Sequence, residues 1–161
     1  MEIIIDSREQ TPLEFCECST VREKLDVGDY GCRVDDKLLP IFFERKSIGD
    51  LYGTLSGGYK RFKKEINRAS ENGVMLILVI EAPLLKVLRG FKHSTRNPKS
   101  LIKQCFTLMV RHKVPCIFFK DSKDMAEYIT QTFLAIEREY NGKEYTENQK
   151  RDAQNMAGKE R

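Results

Sequence analysis

Three consecutive charged residues close an otherwise apolar run, FFERK, at positions 42–46. Side chains alternate across a β-strand, so Glu44 and Lys46 point to one face while Arg45 points to the other. A buried strand has little reason to carry three charges in a row unless those side chains perform chemistry. A carboxylate and an ammonium group side by side are candidate parts of a catalytic centre.

A second carboxylate, Asp29, is predicted to lie beside Glu44. The strand-like runs at residues 25–34 and 38–46 are separated by the turn sequence DDK, which predicts a hairpin. Asp29 lies about as far before this turn as Glu44 lies after it, so the two carboxylates meet across the paired strands. Gly28 directly before Asp29 lets two backbones approach closely.

Two neighbouring carboxylates repel each other, so at neutral pH they need a proton or a cation between them. Oxygen ligands with no histidine nearby favour Mg²⁺ or Mn²⁺ over zinc. Lys46 could hold or deprotonate a water beside the metal, or neutralise the charge that develops on a phosphate. The pattern predicts metal-dependent phosphodiester hydrolysis, and the alternative for each single residue is an ion pair that stabilises the sheet edge.

Further polar residues are placed where they could join the same edge of the sheet. Asp6 ends the first apolar run, at residues 2–5, and Arg8 and Glu9 follow it closely. Asp50 comes four residues after Lys46, in the next predicted helix. We expect these four side chains to extend the polar cluster.

Positive charge is segregated along the chain, although the net charge of the 161 residues is only +4. Residues 82–120 contain nine Lys and Arg and no Asp or Glu, and a second basic cluster at residues 60–68 contains one acid, Glu65. Each run alone is typical of a solvated helix face, but segregated charge favours a polyanionic ligand. The candidate contacts to a nucleic-acid backbone are Lys60, Arg61, Lys63, Lys64, Lys92, Arg96, Lys99 and Lys103.

Apolar periodicity predicts strands alternating with helices. The strands are predicted at residues 2–5, 25–34, 38–46, 74–80 and 115–119, and the helices at 47–56, 58–70, from 97 and from 121 or 122. In the helix that Asn97 and Pro98 begin, the predicted buried stripe is Leu101, Ile102, Cys105, Phe106 and Met109. The expected class is α/β, a mixed sheet flanked by helices on both faces with residues 74–80 as the central strand.

Composition agrees with one globular domain. Hydrophobic residues make up 40% of the chain, no apolar run approaches the ~20 residues that a bilayer requires, and the first residues lack a basic leader. Five cysteines without a CxxC pair indicate neither a disulfide framework nor a zinc site. We expect a domain at residues 1–140, a polar C-terminal tail at 141–161, and an intracellular protein without a membrane segment.

Three motifs in order resemble those of the XPF-type nucleases, the structure-specific endonuclease branch of the restriction-endonuclease-like, PD-(D/E)xK superfamily. They are DSRE at residues 6–9, LDVGDY at 25–30, and ERKS at 44–47 followed by Asp50. The resemblance extends over roughly residues 1–140, and the combination of GDY with ERK is its most specific part.

The resemblance implies a restriction-endonuclease-like fold and a nuclease that uses Mg²⁺ or Mn²⁺ to cut one DNA strand near branches, flaps or single-strand junctions. Asp29 and Glu44 would be the metal ligands and Lys46 the catalytic lysine. Arg45 would support the scissile phosphate or the geometry of the site. The remaining residues of the polar cluster would be Asp6, Arg8, Glu9 and Asp50.

The resemblance also implies a homodimer, formed through the predicted helices at residues 97–113 and 122–140. A stand-alone nuclease of this size would act in the cytoplasm or at the nucleoid of a prokaryotic cell, or belong to a virus. The alternative function is a non-catalytic DNA-binding or nuclease-partner module of the same fold, which intact Asp29, Glu44 and Lys46 disfavour. A scaffold without a nucleic-acid ligand is disfavoured by the acid-free stretch at residues 82–120.

Overall fold

The computed structural model describes residues 1–16 and 18–157, and the side chains of these residues as far as residue 140. Over this part of the chain, seven strands form one mixed sheet and five helices pack on its two faces, so the predicted α/β class is confirmed. The elements are β1 (Glu2–Asp6), β2 (Ser19–Glu23), β3 (Tyr30–Val34), β4 (Lys37–Leu38), β5 (Ile41–Ser47), α1 (Ile48–Thr54), α2 (Tyr59–Glu71), β6 (Met75–Glu81), α3 (Leu84–Leu88), α4 (Pro98–His112), β7 (Cys116–Phe118) and α5 (Ser122–Ala157).

The strand order is β2-β1-β3-β5-β6-β7, with the short β4 added to β3. The strands β1, β3 and β5 pair antiparallel, whereas β5, β6 and β7 run parallel, and β2 is parallel to β1. Parallel strands need crossover connections, and α1 with α2 joins β5 to β6 while α3 with α4 joins β6 to β7. The predicted central strand, β6, lies between two parallel neighbours.

Each face of the sheet has its own apolar core, as alternation along the strands requires. On β6, Leu76, Leu78 and Ile80 pack with helices α1 to α4 on one face. Ile77 and Val79 point the other way and pack with residues of α5, including Met125, Ile129 and Phe133. The site described below lies on the face of the sheet that α1 to α4 cover. It is at the end of the sheet where β1 and β5 terminate.

The segment before β3 is not the strand that its apolar residues predicted. β3 begins only at Tyr30, because Gly28 adopts a left-handed conformation with φ of 71° and interrupts the extended backbone. The N–H of Leu25 donates to Asp6 Oδ2 at 2.8 Å instead of to a strand. The edge strand β2, with the sequence STVRE, was missed because it lacks the apolar alternation that marks a half-buried strand.

Helix α4 begins as predicted but buries a different stripe. Asn97 Oδ1 accepts hydrogen bonds from Lys99 N and Ser100 N, so the predicted cap is confirmed. The prediction that Phe106 and Met109 are buried was wrong, since they are 47% and 39% exposed. The helix instead packs through Leu101, Ile102, Cys105 and Leu108, the four residues that its rotation turns toward the sheet.

Helix α5 begins at the predicted place, where Asp121 Oδ1 accepts from the N–H groups of Lys123 and Asp124. It continues to Ala157, past the predicted start of the polar tail at residue 141, and residues 158–161 lie outside the described part. The division of the chain at residue 140 stays a prediction. No helix among the described residues has both the length and the apolar character needed to traverse a membrane.

Candidate active site

Pairing of β3 with β5 brings Asp29 to Glu44. Tyr30 pairs with Phe43, so the residue before Tyr30 lies opposite the residue after Phe43. The backbone N–H of Asp29 donates to Phe43 O at 2.7 Å, and Asp29 Oδ2 accepts from Arg45 N–H at 2.7 Å. Asp29 and Glu44 therefore lie opposite each other where the two segments pair, as their similar distance from the predicted turn indicated.

Lys46 lies on the same face as Glu44 and forms an ion pair with Glu44 Oε1. Glu44 is only 6% exposed. Burial raises the pKa of the Glu44 carboxyl, and the negative charge of Asp29 raises that pKa further. Burial likewise raises the pKa of Asp29. Burial alone would lower the pKa of Lys46, but attraction to Glu44 outweighs it and raises that pKa, so Lys46 is an ammonium group at neutral pH.

These donors fit a hydrated divalent cation. Two adjacent carboxylates with raised pKa values bind a proton or a metal ion to relieve their repulsion. No three His, Cys, Asp or Glu side chains within the described residues form a ready-made metal site. Mg²⁺ and Mn²⁺ do not require one, since Mg²⁺ in particular keeps several waters and is often held by one or two carboxylates together with substrate phosphate. Asp29 and Glu44 are the residues that could hold such an ion.

Asp6 lies at the end of β1 and is fully engaged in holding the fold. The side chain of Arg8 donates to both of its carboxylate oxygens at 2.8 Å, and the N–H groups of Arg8 and Leu25 donate at 2.7 and 2.8 Å. Burial would raise the pKa of Asp6, but the hydrogen bonds from Arg8 and Leu25 prevail and lower it to about 2. Asp6 is therefore an anion at neutral pH, and it fixes the segment leading to Asp29.

Arg45 points to the opposite face of the sheet, as predicted. Its Nη2 donates to Glu81 Oε2 at 2.6 Å, and its Nη1 donates to Thr11 O and lies 4.0 Å from Glu9 Oε1. Arg45 thus ties the loop after β1 to the end of β6. Its side chain acts on this loop, while its backbone N–H orients the Asp29 carboxylate.

The carboxylates line a cleft of about 340 Å³ between the strand ends and helix α2. Its floor is acidic, and α2 supplies a basic wall, so the cleft combines a cation site with a surface for phosphates. The lining residues are Asp6, Arg8, Glu9, Gly28, Asp29, Glu44, Arg61, Lys64, Glu65 and Arg68.

The structure does not bring Asp50 into this cleft. Asp50 lies in the first turn of α1, where its Oδ2 accepts from Ser47 Oγ at 2.6 Å and its N–H donates to Ser47 Oγ at 3.1 Å. It borders a neighbouring groove lined by glycines and by Arg61, which is shared with the cleft. Ser47 is thus the N-cap of α1, and the Asp50 side chain holds the Ser47 hydroxyl in place.

The predicted nucleic-acid contacts fall into three groups. Arg61 and Lys64 reach the cleft. Arg96 is engaged in the fold, since its guanidinium donates to Leu55 O, Ser56 Oγ and Gln104 Oε1 and so joins α4 to the turn after α1. The others are exposed lysines outside the cleft lining, and their contact with DNA stays a prediction: Lys60, Lys63, Lys92, Lys99 and Lys103.

Two cleft residues were missed as site candidates, Glu65 and Arg68. Glu65 Oε1 accepts from the N–H of Gly28 at 3.1 Å, which links α2 to the segment before β3. The available signal was its isolation, because Glu65 is the one acid among five cations at residues 60–68 and lies next to the buried Ile66.

A family model described as the ERCC4 domain matches residues 5–132. The chain belongs to the ERCC4 domain family. The resemblance to XPF-type nucleases that the three motifs indicated is confirmed, and ERCC4 membership makes this chain a member of a DNA nuclease family. No curated protein matches the sequence.

This ERCC4 domain also shares its fold with solved structures. XPF from Aeropyrum pernix superposes with a TM-score of 0.66 at 22% identity, over 90% of this chain and 70% of that one. XPF from Aeropyrum pernix in complex with DNA gives a TM-score of 0.63 at 24% identity, over 81% of this chain and 62% of that one. The ERCC4 domain thus spans less than two thirds of the DNA-bound XPF chain, and the expected mixed α/β architecture is the fold that it shares with XPF.

Proposed function

We propose that this ERCC4 domain is a Mg²⁺- or Mn²⁺-dependent endodeoxyribonuclease that hydrolyses phosphodiester bonds near branched, flapped or single-strand junctions in DNA. One observation carries the proposal: Asp29, directly before β3, and Glu44, on the neighbouring β5, line one cleft beside the ammonium group of Lys46 and a basic helix. The family match and the fold of XPF support it.

The residues of the site have separable roles. Asp29 and Glu44 would hold the divalent ion, which when bound supplies Lewis-acid stabilisation and an activated water. Lys46 is protonated at neutral pH, so it neutralises charge on the phosphate rather than accepting a proton from water. Its ion-pair partner is Glu44, so the Lys46 ammonium group would lie beside the ion that Asp29 and Glu44 would hold.

The basic wall would hold the DNA backbone. Arg61, Lys64 and Arg68 line the cleft from one helix, and Arg8, after β1, lines it as well. Such cations contact phosphates and position a duplex without reading its bases. We therefore expect selectivity for DNA shape rather than for sequence.

A non-catalytic DNA-binding or nuclease-partner module is the second candidate. The lack of a three-residue ligand set among the described residues favours it, because Asp29 and Glu44 alone are a minimal site. The raised pKa values of both carboxylates argue for the nuclease, since a binding module gains nothing from two repelling acids in its cleft.

The deciding experiment incubates labelled flap, fork, gap and linear DNAs with the protein and Mg²⁺ or Mn²⁺. We expect nicking near the junctions, reduced by about a hundredfold or more in Asp29→Asn and Glu44→Gln. Glu71→Gln makes the same charge change on an exposed part of α2 and should cleave like the wild type. Salt-dependent DNA binding without cleavage under either metal would support the binding module instead.

The assembly and the compartment are also proposals. We infer that the chain forms a homodimer through α4 and α5, which the exposed apolar residues of α4 support. Action on DNA places the protein inside a cell, in the cytoplasm or at the nucleoid if the source is prokaryotic or viral.

A further inference from the structure

Glu65 faces the cleft from helix α2, and the nuclease mechanism proposed above does not use it. Its Oε1 accepts from the backbone N–H of Gly28 at 3.1 Å. Gly28 directly precedes Asp29, so this hydrogen bond acts on the peptide that carries a proposed metal ligand.

The backbone around Asp29 is fixed on three sides by β1 and β5. Asp29 N–H donates to Phe43 O at 2.7 Å, Asp29 O accepts from Asp6 N–H at 2.8 Å, and Asp29 Oδ2 accepts from Arg45 N–H at 2.7 Å. A fourth hydrogen bond, from Gly28 N–H to Glu65, links this segment to helix α2 rather than to the sheet.

Gly28 has no side chain that could hold this segment in place, and the structure leaves no room for one. A Cβ at this position would lie 2.9 Å from Phe43 O, and the φ of 71° is strained for other residues. The peptide of Gly28 must therefore be held through its backbone groups, and its N–H is held by Glu65.

Helix α2 brings its cations to the cleft from the same stretch of chain as Glu65. Arg61, Lys64 and Arg68 line the cleft, while Phe62 and Ile66 anchor the helix in the core. The Glu65 side chain is thus a direct link between the basic wall and the segment of Asp29.

We propose that Glu65 is a positioning residue that holds the phosphate-binding helix α2 in register with the metal-binding segment through its hydrogen bond to Gly28. This inference rests on the proposed nuclease function. Glu65 acts through Gly28 and Asp29 and not by contact with the reacting atoms, so its loss should slow turnover more than it weakens DNA binding.

Two variants separate the hydrogen bond from the charge. Glu65→Gln keeps a carbonyl oxygen that can accept from Gly28 N–H and removes the charge, whereas Glu65→Ala removes both. Glu71→Ala, on an exposed part of the same helix, is the matched control. We expect Glu65→Ala to lower kcat by about ten- to a hundredfold with KM for a flap DNA within about threefold, and Glu65→Gln to recover most of the loss.

Two further measurements do not depend on cleavage. Hydrogen exchange of the Gly28 amide, followed by NMR, should accelerate at least about tenfold in Glu65→Ala and stay close to the wild type in Glu65→Gln. Calorimetric titration with Mn²⁺ should give similar affinities for the wild type and Glu65→Gln.

The outcomes divide cleanly. If Glu65→Gln loses as much activity as Glu65→Ala and also loses Mn²⁺ affinity, Glu65 acts through its charge as a metal-binding group and the proposal is overturned. Unchanged exchange at Gly28 in Glu65→Ala also overturns it. If the wild type cleaves no DNA, the nuclease proposal fails. The positioning role is still supported in that case if Gly28 exchange is faster in Glu65→Ala and returns to the wild-type rate in Glu65→Gln.

Discussion

At the scale of single residues, the fold holds two carboxylates together at a cost in stability. Burial raises the pKa values of Asp29 and Glu44, and the charge of Asp29 raises the pKa of Glu44 further, so ionising both at neutral pH destabilises the metal-free protein. A cation that binds both reverses that penalty. Destabilised groups gathered in a cleft are typical of functional sites rather than of structural ion pairs.

This destabilisation can be measured with Asp29→Asn. Asparagine keeps an acceptor for Arg45 N–H and removes one of the two repelling charges. In EDTA at neutral pH we expect the free energy of unfolding to rise by about 1 to 2 kcal/mol. Ionisation of an acid whose pKa is raised by folding destabilises the folded state, and asparagine carries no charge. Mn²⁺ should stabilise the wild type and not the variant, as measured by thermal unfolding.

The same measurement on Glu71→Gln provides the control, since this exposed acid should change neither value. An Asp29→Asn variant that is less stable than the wild type in EDTA, and that Mn²⁺ still stabilises, would contradict the proposed cation site.

Asp6 gives the opposite dependence on pH. Its pKa falls from 3.8 to about 2 in the folded protein, so its stabilising contribution is complete above the higher value and is lost as the pH falls through the lower one. The shift corresponds to roughly 2 kcal/mol at neutral pH. Denaturant unfolding between about pH 2 and 5 should show a shallower pH dependence in Asp6→Asn than in the wild type. Equal pH dependence in the two proteins would show that the hydrogen bonds of Asp6 do not affect its ionisation.

The core of this site could be predicted from the sequence because it depends on local geometry. Strand alternation places Glu44 with Lys46, and the length of the hairpin places Asp29 opposite. Glu65 and the true places of Asp50 and Arg96 could not be predicted in this way, because they depend on how α1, α2 and α4 dock on the sheet. The angle at which a helix docks depends on packing between side chains that are distant in the sequence. The spacing of residues along one helix does not determine this angle.

At the scale of elements, helix α2 joins the core to the proposed DNA surface. Phe62, Ile66 and Ala69 are buried, and the cations on its other sides reach the cleft or the solvent. The helical spacing of Phe62, Ile66 and Ala69 in the sequence predicts this amphipathic arrangement. The edge strand β2 could not be found in the same way, because its side chains are mostly polar. Its stability comes from the backbone hydrogen bonds of its pairing with β1.

Phosphate contacts by α2 predict a specific dependence on salt. Each lost contact should reduce the slope of log Kd against log salt by about 0.9, so Arg61→Ala with Lys64→Ala should reduce it by about 2. The measurement is fluorescence anisotropy in EDTA with several DNA sequences, which should all weaken alike. Lys123→Ala, an exposed change on α5 across the sheet, should keep the wild-type slope. A slope unaffected by the double change would place the DNA elsewhere.

At the scale of the whole molecule, the cleft and the proposed dimer surface lie at different parts of the sheet. Asp29, directly before β3, and Glu44, on β5, lie in its middle, whereas α4 flanks the edge strand β7 on the same face. Helix α5 covers the opposite face, where the Phe133 ring contacts Phe43 of β5 and Glu137 forms an ion pair with the N-terminus at Met1. The α4 part of the predicted dimer surface therefore lies at the β7 edge, away from the cleft. A second copy bound there would leave each cleft open to DNA.

The exposed residues of α4 give this assembly a test. Phe106, Met109 and Val110 are 47%, 39% and 72% exposed, although all three are apolar, and an exposed apolar group of this kind commonly marks an interface. We expect the wild type to sediment as a dimer at micromolar concentration and Phe106→Asp with Val110→Asp to sediment as a folded monomer. Folding should persist because neither side chain belongs to the buried core. Leu38→Asp, an equally exposed apolar position on β4 away from this edge, should remain dimeric, and a wild type that sediments as a monomer at every concentration would refute the assembly.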